Sequence, residues 1–223
     1  MILLFSPINR ILFLLAGAVL VLSGCLGKES PETELYEVLE KAVKAEKQFE
    51  AQQDPLIELE TKEKAIFDKI MGLGLKEYSQ ISTLSDEALE IVEKRKEHIA
   101  LERQSLEESR KQFEEALTIL KEIKKPELKE KAQLLYKTMK DRYETHEMLY
   151  KEYMNALDGD RQLYTSLKAK DVSLENLEGQ VNTLNEYYKE ILEANERFNE
   201  LTEKYNKEKL DFYELAGLIG EES

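Results

Sequence analysis

Four long stretches of this sequence repeat apolar residues at the three- and four-residue spacing of an amphipathic helix, each over about 40 residues. In the fourth stretch, Leu177, Val181, Leu184, Tyr188 and Ile191 share one face. Glycine and proline are scarce, with 9 and 4 in 223 residues. Such helices bury their apolar faces by turning back on one another. The sequence therefore predicts an all-α fold, an elongated antiparallel up-and-down four-helix bundle. The predicted helices cover about 31–71, 86–124, 127–169 and 174–216.

Capping and helix-breaking residues set these boundaries. Ser30 is a favourable N-cap, and Pro31 suits the first helical turn. Pro126 separates the second and third helices, and Ser173 caps the fourth. Residues 75–84 show no clear period, so we expect a connection there, with Ser85 capping the second helix.

Two features disturb the helical pattern. Asp54-Pro55 interrupts the first stretch although its apolar phase continues, which favours a kink at Pro55 in one long helix over two separate helices. Gly159 lies within the third stretch, and the segment 158–160 is expected to fray or kink.

Polar residues also interrupt the apolar face of the second helix. Arg95, Glu102 and Ser109 fall on or near that face, so the stripe is imperfect.

The N-terminal residues have the layout of a bacterial secretory signal. Arg10 precedes an apolar run of 12 residues, Ile11 to Leu22. A transmembrane helix needs about 20 residues, so a cleaved signal is favoured over an uncleaved signal anchor. A single basic residue before the run leaves the true start codon open.

The apolar run ends in Leu22, Ser23, Gly24 and Cys25, which resembles the lipobox of bacterial lipoproteins. The resemblance implies that the Cys25 thiol receives a diacylglyceryl group and that residues 1–24 are removed. Two acyl chains hold a protein stably on a bilayer, where one is marginal. Cys25 is the only cysteine, so no disulfide forms within one chain. The expected parts are a signal peptide (1–24), a lipidated cysteine with a short tether (25–30), a helical bundle domain (31–216) and a C-terminal tail (217–223).

The charge of the chain excludes two classes of partner. The net charge is −14, and removing residues 1–24, whose only charged residue is Arg10, leaves −15. Nucleic-acid binding requires a basic face, and an acidic protein is repelled by anionic lipid headgroups. We therefore expect membrane contact through the diacylglyceryl anchor alone, on the extracytoplasmic face of the cell membrane.

The histidines lack the spacing of a metal site. In di-iron bundles a glutamate lies three residues before the histidine, but Arg95 precedes His98 and Tyr143 precedes His146. No H-E-x-x-H or paired-cysteine motif occurs. We expect no metal and no cofactor, with His146 hydrogen-bonded in the core and His98 exposed.

Catalysis by paired carboxylates is possible in principle on the fourth helix, but we expect a solvated face and no catalytic residue. The carboxylates concerned are Glu186, Glu190, Glu193, Glu196, Glu200 and Glu203.

Tyrosines recur at seven-residue steps on the third helix, at Tyr136, Tyr143, Tyr150 and Tyr164, with Leu157 in the remaining place. One interpretation is that their rings edge the core while their hydroxyls reach water. The other is a ligand strip for sugar or peptide. The first is favoured.

The lipobox, the short tether and the Glu- and Lys-rich helices resemble the YkyA-type cell-wall-binding lipoproteins of Gram-positive bacteria. The interruption at Pro55, the Gly72-Leu73-Gly74 segment and the turn at Pro126 belong to the same layout. The resemblance implies a four-helix up-and-down bundle that lies outside the cell and faces the wall. It supplies no catalytic residues.

These observations favour a non-enzymatic lipoprotein that contacts peptidoglycan or an envelope protein. Anionic wall polymers should repel an acidic surface, so binding would use divalent cations or uncharged glycan contacts. The alternative is an accessory or chaperone-like subunit whose groove accepts a partner helix, suggested by the imperfect stripe of the second helix.

Overall fold

The computed structural model describes residues 30–73 and 77–219. Within them the predicted all-α helical bundle is confirmed. No helix in these two ranges is long and apolar enough to cross a membrane. The signal peptide, the lipobox and Cys25 lie outside the described residues. The helices are α1 (Pro31–Ala45), α2 (Lys47–Gly72), α3 (Tyr78–Phe113), α4 (Ala116–Glu122), α5 (Pro126–Leu167) and α6 (Leu174–Ala216).

The helices build two compact units, each with its own apolar core. In the described ranges, unit 1 consists of Ala51–Arg103 and His146–Glu196, and unit 2 consists of 30–50, Gln104–Thr145 and 197–219. Long helices α3, α5 and α6 contribute to both. Unit 1 buries, among others, Leu56, Phe67, Val92, Ile99, Leu149, Leu163, Leu184 and Ile191. Unit 2 buries, among others, Leu35, Leu39, Leu106, Phe113, Leu120, Leu135, Met139, Phe198 and Phe212.

Side-chain pairs show that α2 and α3 run antiparallel in unit 1. Glu63 on α2 bonds to Arg95 on α3, while Gln53, earlier on α2, bonds to Glu102, later on α3. Residue numbers therefore fall along one helix as they rise along the other, as the up-and-down topology requires.

The first predicted helix is divided, but not at Pro55. α2 continues through Pro55, and the interruption lies at Glu46, between α1 and α2. Pro55 removes one backbone donor, and the carbonyl left without it belongs to Ala51, which is exposed to water. The prediction of a single helix over 31–71 is wrong because Glu46, described below, has a buried partner.

α3 begins at Tyr78, so the connection predicted over residues 75–84 is wrong from residue 78 onward. The polar residues that hid the helical period point outward, whereas Ile81 and Ser85 are buried. Ser85 is consequently a buried residue within the helix and not its cap. The Tyr78 hydroxyl donates to the Lys168 carbonyl at 2.7 Å, which ties the start of α3 to the end of α5.

The second predicted helix is also divided, because Glu114 and Glu115 form a turn between α3 and α4. Their carbonyls accept hydrogen bonds from the amides of Leu117 and Thr118, three residues later, at 3.3 and 3.2 Å. This tighter winding shifts the apolar face. Ala116 is therefore buried against the core, and Leu117 is exposed.

The Gly159 segment is regular helix and does not fray. A Cβ at Gly159 would lie 2.7 Å from Leu184 Cδ2 and 3.3 Å from its Cγ. Leu184 is itself buried in the core of unit 1. The missing side chain therefore allows α6 to approach α5 closely.

We expect Gly159→Ala to lower the free energy of unfolding by about 1 kcal/mol. Alanine gains about 1 kcal/mol over glycine in a helix interior, but overpacking a filled core costs about 1–3 kcal/mol. Denaturant unfolding followed by circular dichroism measures the difference.

Gly179→Ala is the matched control, since a Cβ there meets nothing within 4 Å. It should raise the free energy of unfolding by up to about 1 kcal/mol. In a Leu184→Ala background Gly159→Ala should become stabilising; a loss of stability there as well would contradict the steric explanation.

Candidate functional site

The four tyrosines proposed as a ligand strip do not form one exposed surface. Tyr143 and Tyr164 are buried, and Tyr136 and Tyr150 are half-buried. Tyr136 stacks on Phe113 with ring centroids 5.2 Å apart. The ligand strip, the less favoured of the two interpretations, is not supported by this burial, because helix α5 packs its tyrosines into or against the two cores.

Two of these tyrosines, the half-buried Tyr150 and the buried Tyr143, contact polar side chains of the protein. The Arg103 guanidinium lies 4.5 Å from the centroid of the Tyr150 ring, and the Tyr143 hydroxyl lies 2.7 Å from Ser109 Oγ. The rings thus have partners within their own units.

One of the two predictions for the histidines is wrong. His146 is buried as predicted, but His98 is half-buried and not exposed, because its Nδ1 lies 2.7 Å from Gln52 Oε1. Among the residues that the structure describes, no group of three or more histidine, cysteine, aspartate or glutamate side chains could hold a metal ion. The carboxylates named above on α6 are all exposed, as expected for a solvated face.

The most concentrated ionisable cluster in unit 1 surrounds Arg95, which is fully buried. Its Nη1 donates to Glu63 Oε2 at 2.6 Å and to Asp160 Oδ2 at 3.2 Å, and its Nε donates to the Tyr153 hydroxyl at 3.1 Å. The Tyr188 hydroxyl donates to Asp160 Oδ2 at 2.5 Å. Four helices, α2, α3, α5 and α6, therefore supply one hydrogen-bonded network, which we call the Arg95 network.

Acids outnumber bases in the Arg95 network. Glu60 accepts a hydrogen bond from the Tyr153 hydroxyl at 2.5 Å and lies 4.0 Å from Arg95 Nη2. Burial raises the pKa of Glu63 to about 8, against the lowering effect of Arg95, and the charge of Asp160 raises it further. Burial likewise raises the pKa of Asp160. Glu63 therefore holds a proton at neutral pH.

Unit 2 contains a second buried ion pair. Arg142 Nη1 and Nη2 donate to the two carboxylate oxygens of Glu46, each at 2.8 Å, and Arg142 Nε donates to Thr202 Oγ1 at 2.8 Å. Ser109 Oγ also donates to Glu46, at 2.8 Å. Such bidentate pairing is the strongest form of this interaction.

The ion pair of unit 2 explains where the first helix is interrupted. Glu46 is the residue between α1 and α2, and its side chain is buried beneath Arg142. Ser105 forms hydrogen bonds with the backbone on both sides of the interruption. Its hydroxyl accepts from the Phe49 amide at 3.0 Å and donates to the Ala45 carbonyl at 2.7 Å. One serine thus satisfies two backbone groups that the interruption leaves open.

Burial excludes a catalytic role for these clusters. The side chains of Arg95 and Glu63 have no exposed surface, and those of Arg142 and Glu46 are 2% exposed. A substrate in solution cannot reach them without opening the unit. The sequence carried a signal for them, because Arg95, Glu102 and Ser109 recur at seven-residue steps on α3. That signal indicates buried polar layers, not a groove.

The accessible surface of unit 1 includes an open groove between α5 and α6, with a volume of about 570 Å³. Its described lining is mainly neutral and polar, and Asp158 is the single charged residue in it. None of the site residues predicted from the sequence lies in this groove, because its exposed and half-buried polar residues show no periodic signal.

We expect stability to fall as pH rises from about 4.5 to 8. The pKa of Glu63 is raised from 4.5 in the unfolded chain to about 8 in the folded protein, so the folded state binds the additional proton in this interval and deprotonation favours unfolding. Asp160 acts in the same direction. Denaturant unfolding at several pH values measures the slope.

The control for this pH dependence is Glu63→Gln, which keeps the size and hydrogen-bonding capacity of the protonated side chain. Its free energy of unfolding should fall less steeply over the same interval, and at pH 8 the variant should equal or exceed the wild type. Parallel curves for the two proteins would contradict the assignment of the proton to Glu63.

The comparisons with known proteins agree with this fold. The YkyA family model, described as "Putative cell-wall binding lipoprotein", matches residues 30–215. "Uncharacterized lipoprotein YkyA" of Bacillus subtilis (strain 168) is 43% identical over 198 residues, which are 89% of this chain and 88% of that protein. The crystal structure of a conserved protein of unknown function from Staphylococcus aureus superposes with a TM-score of 0.61 at 18% identity.

The Staphylococcus aureus structure covers 84% of this chain and 97% of its own, and at that identity it shows the fold alone. The family match extends over nearly the whole described region, and the Bacillus subtilis relative supports it with close sequence identity. The resemblance drawn from the lipobox and the helical layout is therefore confirmed, and the chain belongs to the YkyA family of lipoproteins.

Proposed function

We propose that this protein is a lipid-anchored, extracytoplasmic binding protein that contacts the cell wall and catalyses no reaction. The observation that carries the proposal is the match of residues 30–215 to a family described as cell-wall binding. The match includes both units, so both belong to the region that the family description concerns.

The position of α1 supports a short connection to the membrane. α1 begins at Pro31, and Ser30 caps it by accepting a hydrogen bond from the Thr33 amide at 3.2 Å. At most about 3.6 Å per residue, the five residues between Cys25 and Pro31 reach on the order of 20 Å. With a lipid on Cys25, the helical domain would begin close to the membrane surface, beneath the wall.

The arrangement of ionisable groups supports a binding role. The described carboxyl groups with raised pKa, Glu63 and Asp160, belong to the Arg95 network and serve its internal bonds. The carboxylates on the outer face of α6 are exposed to solvent. Neither arrangement supplies an acid and a base around a substrate position.

The alternative function, a groove that accepts a partner helix, loses its motivation. It depended on Arg95, Glu102 and Ser109 as flaws in the apolar face of α3. All three are buried and hydrogen-bonded within their own unit. We therefore do not propose it.

We expect native protein from cells to begin at Cys25 and to carry a diacylglyceryl group. Intact-mass spectrometry of the membrane fraction measures both features. Cys25→Ser should lose the lipid and retain residues 1–24, whereas Ser30→Ala, outside the lipobox, should be processed normally. An unmodified full-length wild-type chain in the cytosol would disprove the anchor.

Direct wall binding is tested by sedimentation of the detergent-solubilised mature protein with purified peptidoglycan, with and without magnesium. We expect co-sedimentation that magnesium strengthens, because the cation screens repulsion between an acidic protein and anionic polymers. Protein that stays in the supernatant in both conditions would overturn wall binding. Crosslinking in cells to one dominant protein would then indicate an envelope partner.

A further inference from the structure

The groove between α5 and α6 differs chemically from the rest of this highly charged surface. Charged residues make up 35% of the chain, yet the groove has Asp158 as its single described charge. A shallower groove between α2 and α3 in the same unit is lined by Lys62, Lys69, Glu87, Glu90 and Lys94, among others. Of these two grooves of unit 1, the groove between α5 and α6 is therefore the one with a nearly neutral lining. Its polar uncharged members are Asn155, Gln162, Asn176, Gln180, Thr183 and Tyr187.

Amide side chains give the groove both donors and acceptors. Each Asn or Gln presents a carbonyl oxygen and an NH₂ group, which matches the hydroxyl and acetamido groups of a sugar. The half-buried Tyr187 adds an aromatic face with a polar end. A volume of about 570 Å³ lies within the range of small-ligand sites.

Hydrogen bonds within the lining hold two of its amides in place. Gln180 Nε2 donates to Ser166 Oγ at 3.0 Å and to Asn176 Oδ1 at 2.7 Å. Gln180 Oε1 is closed to water, so a ligand would instead meet the exposed side chains of Gln162, Asn176 and Thr183.

Charge decides which ligands suit the groove. Asp158 and the net charge of −14 repel anions such as phosphodiester polymers. A neutral polar ligand carries no such penalty. For a strongly cationic ligand, the described lining offers Asp158 as its single carboxylate, and so only one ion pair could form.

Gly179 keeps the groove open. A Cβ at this position would meet nothing within 4 Å, so the space next to the α6 backbone is free. A side chain at position 179 would therefore begin in open space at the groove.

We propose that this groove binds an uncharged oligosaccharide of N-acetylated sugars through its amide and hydroxyl side chains. The inference rests on the proposed wall-binding function and assigns it a site and a ligand class. Peptidoglycan contact would then take place through the neutral glycan strand, which accounts for wall binding by an acidic protein.

The probe is chitotetraose, an uncharged chain of N-acetylated sugars, titrated into the detergent-solubilised mature protein by isothermal calorimetry. We expect the wild type to bind and Gly179→Leu to bind roughly tenfold more weakly or worse, because leucine fills the groove. Thermal unfolding should show that Gly179→Leu is at least as stable as the wild type, since leucine is the better helix former.

Gly72→Leu is the matched control, because position 72 is also open and lies outside the groove lining. It should bind chitotetraose like the wild type. Gln162→Leu, which removes an exposed amide of the lining, should also weaken binding. Equal affinity of Gly179→Leu and wild type would overturn the site.

Peptidoglycan sedimentation separates failure of this inference from failure of the proposed function. A wild type that sediments with peptidoglycan but does not bind chitotetraose would overturn the neutral-glycan site and leave wall binding in place. A wild type that binds neither would overturn both. Loss of chitotetraose binding and of sedimentation together in Gly179→Leu is the result that supports the inference.

Discussion

A guanidinium group buried in an apolar core requires carboxylates around it, and this requirement governs unit 1. Removing one partner from a buried ion pair costs about 3–5 kcal/mol, since an uncompensated charge remains in the interior. Arg95 on α3 meets Glu63 on α2 and Asp160 on α5, and Tyr188 on α6 completes the contacts of Asp160. The relative positions of four helical segments are therefore coupled to one side chain.

The same network specifies the register of α3. An apolar stripe with a seven-residue repeat tolerates a slide by seven residues, because one apolar side chain replaces another. Such a slide would place Ala88 or Glu102 where Arg95 lies, and would leave the buried Glu63 and Asp160 without their hydrogen-bond donor. The buried charges thus exclude alignments that hydrophobic packing alone would permit. In unit 2 the bidentate pair of Arg142 and Glu46 has an equivalent role.

The sequence predicted the helical class, the Ser30 cap, the turn at Pro126 and the beginning of α6 at Leu174, since each follows from local preference or apolar period. It failed where tertiary contacts override local signals. Pro55 is tolerated because the carbonyl that loses its donor belongs to Ala51, an exposed residue. Glu46 has no local helix-breaking property, yet the helix is interrupted there, where its side chain pairs with Arg142. Local sequence preferences could not predict this interruption, because Arg142 is distant from Glu46 in the sequence.

The candidate sites show the same division. The periodicity of the tyrosines was visible, but burial of Tyr143 and Tyr164 depends on which flank of α5 meets its neighbours. The groove between α5 and α6 escaped prediction because its residues come from two helices and share only neutrality. By contrast, the seven-residue recurrence of Arg95, Glu102 and Ser109 was evident, and only its meaning as internal pairing required the structure.

The surplus carboxylate beside Arg95 links the formation of unit 1 to the acidity of its surroundings. At neutral pH the free chain carries Glu63 ionised, whereas the closed unit holds it protonated. Assembly of unit 1 is therefore coupled to proton uptake from the surrounding medium. Acidic surroundings would therefore favour the assembled unit 1, and alkaline surroundings would leave more of the chain unfolded and open to proteolysis.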